Sequence, residues 1–202
     1  AIRISGEEWG GLATKASYRD YHLIVEWRWS GKVWPPRDKA ARDSGILIHG
    51  RGEDGAYGGV WLESIESQII EGGAGDIILV GGRNKPSLTV DVREQGKEHY
   101  WEKDGKPITK TSGRFDWWGR SPEWKDELGF RGARDVEKPM GQWNRQEIFA
   151  DGDKITYLVN GKVVIHGYNS SHRAGKIQLQ SEGAEILIRR VELRPIAKRP
   201  KF

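Results

Sequence analysis

The stretch Glu63-Ser64-Ile65-Glu66-Ser67-Gln68-Ile69-Ile70-Glu71-Gly72-Gly73 decides the fold class of this chain. Its isoleucines give it the apolar, β-branched character of a strand in the middle of a sheet. Because side chains alternate across a strand, Glu66 and Gln68 share one face while Ile65 and Ile69 share the other. A sheet with one apolar face and one face of carboxylate and amide groups suits a polar ligand of the size of a sugar.

The composition agrees with a β protein that binds through aromatic and polar groups. The chain has 202 residues, 36% of them apolar and 31% charged, and no apolar run is long enough to span a membrane. Its 27 Gly and 10 Trp exceed ordinary use and are typical of a turn-rich β protein. The sequence has no Cys, which excludes disulfides and Cys-based metal sites. We expect one domain over residues 1–202.

The charge pattern gives no indication of a nucleic-acid partner. The net charge is +4, and the basic surplus is concentrated at the end of the chain. A nucleic-acid site would need a basic stripe tied to a recognition motif, and none is found in the sequence. We therefore interpret residues 195–202 as a basic, solvated tail that follows the last strand.

Alternating apolar residues predict further strands on both sides of the central one. Asn160-Gly161 is a strong hairpin signal, and helical periodicity is weak, with only a possible turn over Ser121–Leu128. Regularly spaced strands divided by Gly, Asn and Asp turns predict an all-β sandwich of two sheets. The predicted strands are Tyr21–Trp29, Gly45–His49, Ile77–Val80, Ser87–Arg93, Gln146–Ala150, Ile155–Val159, Lys162–His166, Lys176–Ser181 and Ala184–Leu193.

The segment 94–139 has no regular pattern and is rich in Trp, Gly and charge. It is too aromatic for a disordered linker. We predict an ordered insertion that lies over a sheet edge or a binding cleft.

Several motifs, taken in order along residues 20–194, resemble those of the 3-keto-disaccharide hydrolase domain family. Each motif is weak alone, and the set together is specific. The motifs are Asp43-Ser44-Gly45-Ile46, Glu66–Gly72 with its Glu-x-Gln-Ile core, Trp143-Asn144, Asn160-Gly161, Gly175–Gly183 and Ile188–Val191.

The resemblance implies a concanavalin A-like jelly roll of two antiparallel sheets, with the ligand on the concave sheet. It also implies a hydrolase or lyase that cleaves glycosides oxidised at C3 of the sugar, in secreted, periplasmic or cell-surface bacterial proteins. No signal peptide is visible at Ala1, so we expect the signal segment to lie outside this chain. The chain departs from the family pattern at Asp43 and Arg190, where Asn is common, and at Glu182, where His is common.

A glycoside with a ketone at C3 can be cleaved with one base and one acid. The ketone acidifies the hydrogen on C2, so a base can remove it and expel the C1 substituent, after which water adds to the enone. This route also needs a cation or hydrogen-bond donors for the enolate oxygen. Direct hydrolysis between two carboxyl groups is the alternative.

Four residues are candidates for the acid and base. Glu66 or His49 is our candidate base, and Glu182 or Glu71 is the acid partner. His is the natural base at neutral pH, although a lone His is more often structural. Glu71 differs in parity from Glu66 unless a bulge intervenes. The alternative for Glu66 is a carboxylate that decorates a solvated face of the sheet.

Amide, guanidinium and indole groups are candidates for substrate binding. Gln178 and Gln180 project with Glu182 to the face opposite Ile177 and Leu179. Arg189 precedes a change of alternation that could turn it inward, and its alternative role is an ion pair with an acid such as Glu66. The other candidates are Gln68, for hydrogen bonds to the sugar, and Trp61, Trp117 and Trp118, whose alternative role is structural packing.

Two questions stay open at this level. A divalent metal is one, with His49, Glu66 and Glu71 as candidate ligands and His166 or His172 in addition. The second is the class of protein, because a non-catalytic carbohydrate-binding module of the same fold would use Trp stacking and amide hydrogen bonds alone. A protein-interaction domain without a sugar site is a third, weaker reading. Strongly perturbed carboxyl pKa values in the cleft would favour the enzyme.

Overall fold

The computed structural model describes residues 1–201, which form fifteen β-strands and no helix. No element in this range could therefore cross a membrane as a helix. In chain order the strands are β1 (Ile2–Ile4), β2 (Gly10–Ala13), β3 (Tyr21–Val33), β4 (Asp43–Arg51), β5 (Glu63–Ile70), β6 (Ile77–Val80), β7 (Leu88–Gln95), β8 (Glu98–Trp101), β9 (Lys106–Lys110), β10 (Gly113–Phe115), β11 (Asn144–Asp151), β12 (Lys154–Val159), β13 (Lys162–Gly167), β14 (Lys176–Ser181) and β15 (Ala184–Arg194).

Two six-stranded antiparallel sheets form the sandwich. The first sheet has the order β1-β15-β3-β11-β12-β13, and the second has the order β10-β6-β5-β4-β14-β2. A small third sheet has the order β8-β7-β9. The all-β class and the two-sheet jelly roll predicted from the sequence are confirmed, and the central stretch is β5, flanked by β4 and β6.

The core lies between the two large sheets and contains the apolar face of β5. Ile65 and Ile69 are buried there, together with Trp27 of β3 and Tyr157 of β12. Burial of each such side chain contributes about 1.5–3 kcal/mol. The predicted alternation is confirmed, because Ile65 and Ile69 face this core while Glu66 and Gln68 line a cavity on the other side of the sheet.

One buried amide joins the two sheets through this core. Gln146 of β11 accepts a hydrogen bond from Trp27 Nε1 at 3.1 Å. Its Nε2 donates to Ser67 Oγ of β5 at 2.6 Å and to the carbonyl of Gln68 at 3.2 Å. Because these buried polar groups satisfy one another across the core, the contact stabilises the position of β5 against the first sheet.

The nine strands predicted beside β5 are present, with ends that shift by a few residues. The sequence did not indicate the edge strands β1 and β2, whose side chains are mostly exposed and lack an alternating apolar pattern. The possible turn over Ser121–Leu128 is present as short turns, one of them closed by a hydrogen bond from the Trp124 N–H to the Ser121 carbonyl at 3.1 Å, and no helix forms there.

Part of the irregular segment 94–139 is regular. It contains β8 and β9, which belong to the small sheet, and β10, which extends the second sheet beside β6. The predicted tail follows β15, and its last residue, Phe202, lies outside the described residues.

The segment that follows β10 is tied to the end of β5 by Glu71. The Glu71 carboxylate accepts hydrogen bonds from Arg42 Nη1 at 2.6 Å, from the Arg42 backbone N–H at 3.0 Å and from the Gly129 N–H at 2.8 Å. Trp124 Nε1 donates to the Glu71 carbonyl at 2.8 Å. Both charged side chains are buried, so Glu71 holds the segment around residue 129 against the second sheet.

Replacement of Glu71 should therefore destabilise the fold. Glu71→Ala leaves the Arg42 guanidinium buried without its partner, and we expect the free energy of unfolding to fall by about 3 kcal/mol or more. Urea denaturation of the variant measures this. Glu127→Ala is the control, since Glu127 forms only an exposed, 3.9 Å pair with Lys125 and should change stability by less than about 1 kcal/mol. Equal effects of the two substitutions would contradict this role of Glu71.

Candidate functional site

A cleft of about 340 Å³ lies on the face of the second sheet that points away from the core. Strands β4, β5 and β14 supply its floor, β6 and β10 one side, and the loop between β4 and β5 its aromatic rim. Its charged and amide lining residues are Asp43, Glu66, Gln68, Arg114, Gln180 and Glu182.

Strand order and alternation explain why these groups meet. β5, β4 and β14 are adjacent, so the outward side chains of β5 and β14 lie on either side of β4. Gly45 of β4 leaves the space between them, because a Cβ at this position would collide with Glu66 Oε1 and would lie 3.0 Å from Gln180 Oε1. The glycine thus allows the carboxyl of Glu66 to approach the amide of Gln180.

Asp43, Glu66 and Glu182 form a carboxyl cluster in the cleft. Glu66 is only 3% exposed; burial and the negative charges of Asp43 and Glu182 raise its pKa well above the usual range. Burial and the charge of Glu182 likewise raise the pKa of Asp43. Glu182, in the turn after β14, is half-buried, and burial raises its pKa too. The cluster therefore keeps protons at a pH where exposed carboxyl groups have lost them.

Two arginines limit the negative charge of this cluster. Arg37 Nη2 lies 3.2 Å from Asp43 Oδ2 and also lowers the pKa of Glu182 against the effect of burial. Arg114 lines the cleft from β10, and its charge acts in the same direction on Asp43 and Glu66. Asp76 holds the Arg114 guanidinium through a 2.6 Å hydrogen bond from Nη1 to Oδ2.

Three acceptor atoms of the cleft have no hydrogen-bond partner among the described residues. They are Asp43 Oδ1, Glu66 Oε1 and Gln180 Oε1. A buried polar atom without a partner is costly, so such atoms call for a donor from outside the chain. The hydroxyl groups of a sugar are donors of this kind.

Aromatic rings stack at the rim of the cleft. The Trp61 ring stacks with that of Trp9, with ring centroids 5.6 Å apart, and with that of Tyr57, at 6.4 Å, and each pair is within 20° of parallel. Trp61 Nε1 donates to the Gly10 carbonyl, which fixes the indole. Trp9 and Tyr57 are about two-fifths exposed; Tyr57 and Trp61 line the cleft, and Trp9 stacks on Trp61 beside it.

The structure brings five of the sequence-predicted site residues to this cleft: Trp61, Glu66, Gln68, Gln180 and Glu182. Gln178 faces the same side of β14, but its Oε1 accepts a hydrogen bond from the Leu62 N–H at 3.0 Å and it does not line the cleft. Glu71 is held in the buried pair with Arg42 described above and is not a cleft residue.

His49 does not line the cleft either. It would share a face with Gly45 if β4 were regular, but the pairing of β4 with β5 shifts between Ile48 and Arg51, and His49 has a φ of 54°. The imidazole instead lies 5.8 Å, centroid to centroid, from the buried Tyr21 ring. Its Nδ1 is 2.7 Å from the His172 carbonyl oxygen, and burial lowers the pKa of His49 to about 4.

Arg189, Trp117 and Trp118 also lie outside the cleft. The strand irregularity expected near Arg189 is present as a register shift of β15, but the guanidinium is exposed and donates to Glu26 at 2.6 Å on the first sheet. Trp117, two residues after the end of β10, is buried in the core, so it has the structural packing role that was its alternative. Trp118 lines a different cavity.

Sequence reasoning missed two polar groups of the cleft and part of its rim. The sequence presents Asp43 only as part of the family motif and as a departure from it, although its position in phase with Gly45 is a usable signal. Arg114 gives no such signal, since it reaches the cleft only because the three-residue strand β10 pairs with β6. Tyr57 and Trp9 lie in Gly-rich or polar surroundings that do not fix their orientation.

The candidate metal ligands do not come together. Within residues 1–201, no group of three or more His, Asp or Glu side chains is arranged to hold a metal ion. His49 and Glu71 are separated from the cleft by the contacts described above.

The burial of His49 predicts a pH dependence of stability. Its pKa in the folded state, about 4, is below the ordinary value of 6.5, so the unfolded chain binds the proton more readily. This contribution to stability is complete above pH 6.5 and is lost as the pH falls towards 4. Between pH 7 and 4.5 the loss amounts to about 2 kcal/mol.

The measurement is urea denaturation of the wild type and of His49→Gln at the two pH values. We expect the variant to lose about 2 kcal/mol less than the wild type on acidification. An identical pH dependence would show that His49 is not the buried neutral group described here.

Comparisons with known proteins agree with this architecture. The family model of the 3-keto-alpha-glucoside-1,2-lyase-like domain matches residues 1–194. No curated protein matches the chain at a significant level.

Among solved structures, a candidate glycosyl hydrolase from Parabacteroides distasonis ATCC 8503 is 17% identical, with a TM-score of 0.51 over 93% of this chain and 83% of that one. The carbohydrate-binding module CBM66 from Bacillus subtilis is 10% identical, with a TM-score of 0.49 over 94% and 96% of the two chains. At 17% identity and a TM-score of 0.51, the Parabacteroides distasonis structure shows a shared fold and nothing more. Since the family model covers almost the whole sequence, the chain belongs to the 3-keto-alpha-glucoside-1,2-lyase-like domain family.

Proposed function

We propose that this protein cleaves glycosides oxidised at C3 of the sugar, by elimination followed by addition of water. The observation that carries the proposal is the carboxyl cluster of Asp43, Glu66 and Glu182 beside Arg114, in a cleft of the second sheet. Carboxyl groups whose pKa values are raised by burial and by one another are typical of acid–base sites. The family to which the chain belongs supports a reaction at a 3-keto-glucoside.

The environments of the two glutamates assign different roles to them. Glu66 is the more deeply buried, and its pKa is raised well above the usual range, so it holds its proton and serves as the acid. Burial also raises the pKa of the half-buried Glu182, but the charge of Arg37 opposes this effect, so Glu182 loses its proton more readily than Glu66 and serves as the base. The sequence pattern alone suggests the reverse assignment for this pair, with Glu66 as the base and Glu182 as the acid.

The reaction needs one proton transfer from C2 and one to the oxygen that leaves C1. The Glu182 carboxylate takes the C2 hydrogen, and the C2 electron pair forms the enolate of the C3 ketone. The bond between C1 and its oxygen substituent breaks with formation of the C1–C2 double bond, and Glu66 gives its proton to the departing oxygen. Water adds across the double bond, its oxygen to C1 and a proton to C2, which yields the free 3-keto sugar.

Other cleft groups orient the sugar and stabilise its charge. The Arg114 guanidinium is held by Asp76 and supplies a fixed cation for the developing enolate oxygen. Gln68 and Gln180 offer amide groups to the sugar hydroxyls, and Gln180 Oε1 has no other partner among the described residues. None of these groups needs to reorganise when charge develops.

A non-catalytic carbohydrate-binding module is the second candidate. The stacked rim of Trp9, Trp61 and Tyr57 favours it, since open aromatic faces stack on pyranose rings. Such a module would bind oxidised and unoxidised sugars alike and would not depend on the protonation of Glu66.

The test compares turnover of a 3-keto-glucoside and of its unoxidised parent by the wild type, Glu66→Gln and Glu182→Gln. We expect the wild type to cleave only the keto substrate, and each variant to lose about 10²–10⁴-fold in kcat, as is usual for a general acid or base. Glu53→Gln, an exposed change on the loop after β4, is the control and should retain full activity.

Sugar binding without cleavage of either substrate would overturn the proposed enzymatic activity and favour the carbohydrate-binding module. Undiminished cleavage by both variants would overturn the roles of Glu66 and Glu182. Turnover with and without a chelator, measured on the same preparations, decides whether a divalent metal takes part.

A further inference from the structure

A second cavity of about 470 Å³ lies outside the cleft, where β7 faces the segment after β10. Three arginines line it, Arg93, Arg120 and Arg134, and no acidic side chain is among its lining residues. Trp118, Gln95 and Ser121 supply the rest of its polar and aromatic surface. We call it the arginine cavity.

Two of the guanidinium groups are held in place by aromatic rings. Arg93 lies 4.7 Å above the centroid of Tyr100, and its Nη1 donates to Gln95 Oε1 at 2.8 Å. Arg120 lies 4.2 Å above the centroid of Trp124. A guanidinium that is already fixed by stacking loses little freedom when it binds an anion.

The charges of the three arginines are compensated to different degrees. Arg120 forms ion pairs with Asp76 and with Asp116 behind the cavity wall. Arg93 has an exposed, 3.9 Å pair with Glu102, which is too long and too solvated to offset its charge. Arg134 is exposed and makes no hydrogen bond or ion pair with the residues described. Positive charge is therefore available at Arg93 and Arg134.

The uncharged lining indicates what kind of anion fits. Trp118 presents a half-buried indole that is fixed by a 3.0 Å hydrogen bond from Nε1 to the Val163 carbonyl. Gln95 and Ser121 offer groups that exchange hydrogen bonds with hydroxyls. The volume falls in the usual range for sites of small organic ligands, about 300–1,000 Å³. An inorganic anion would use neither the indole nor this space.

We propose that the arginine cavity binds an acidic saccharide, a sugar that carries a carboxylate as a uronic acid does. The carboxylate binds Arg134 and Arg93 through charge-assisted hydrogen bonds. The pyranose ring lies against Trp118, and its hydroxyls reach Gln95 and Ser121. This site depends on its own lining residues and holds whether or not the cleft cleaves glycosides.

The arginine cavity is connected to the cleft by shared residues. A smaller cavity of about 240 Å³ between them shares Arg120 and Ser121 with the arginine cavity and Arg114 with the cleft. Asp116 lines this connecting cavity, and neither of its carboxyl oxygens has a hydrogen-bond partner among the described residues. The hydroxyls of a neutral sugar unit can donate to Asp116, so a longer saccharide whose acidic unit lies in the arginine cavity can extend towards the cleft.

Calorimetric titration of the full chain with glucuronate, glucose and inorganic sulfate tests the site. We expect glucuronate to bind, with a Kd at least about tenfold weaker in the double variant Arg93→Gln/Arg134→Gln. Glu66→Gln changes the cleft alone, and Arg19→Gln removes an exposed arginine elsewhere, so both should bind glucuronate as the wild type does. Thermal denaturation of each variant establishes that it is folded.

Three results would overturn the proposal. One is glucuronate binding that the arginine double variant leaves unchanged, and the second is its loss in Glu66→Gln, which would place the ligand in the cleft. The third is binding of sulfate as tight as that of glucuronate, which would make the cavity a plain anion site. Failure of the cleft to cleave a 3-keto-glucoside affects none of these readouts.

Discussion

The alternation of side chains along β5 is the constraint on which this protein depends. Both faces of the strand are buried, one in the core and one beneath the cleft. Ile65 and Ile69 bind it to the first sheet through apolar contacts, while Gln146 joins the two sheets by hydrogen bonds to Ser67 and the Gln68 carbonyl. This side of the strand gives the stability that allows the other side to carry unsatisfied polar groups.

Burial on the cleft side makes the carboxyl groups useful. An ionised carboxylate in such surroundings is costly unless it is paired, so Glu66 keeps its proton instead. The arginines are arranged to moderate this effect without cancelling it. Arg37 pairs with Asp43, and Arg114 is bound to Asp76, so neither forms a direct ion pair with Glu66. In the proposed mechanism these groups act as the acid, the base and the fixed cation that elimination from a ketone requires.

Regular alternation made part of the site predictable from sequence. Glu66 and Gln68 follow from the isoleucines of β5, and Gln180 follows from Ile177 and Leu179 of β14, because these residues keep the alternation of their strands. Glu182 lies in the turn after β14 and continues the same alternation. His49 could not be placed in the same way, since the bulge at the end of β4 and a positive φ remove it from the cleft face. Glu71 lies after β5 has ended, where local pairing with Arg42 decides its position. Arg114 depends on a pairing between β10 and β6 that three residues do not reveal.

The most direct test of the central claim follows the hydrogen on C2. A 3-keto-glucoside that carries deuterium at C2 should lose it to solvent during cleavage by the wild type, because elimination removes that hydrogen and hydration replaces it with a solvent proton. Mass spectrometry of the sugar released at early times, with Glu182→Gln as the reference for spontaneous exchange, measures the loss. The account predicts a product without deuterium. Rapid cleavage with the deuterium retained would contradict it and would show that the C1–oxygen bond is hydrolysed directly.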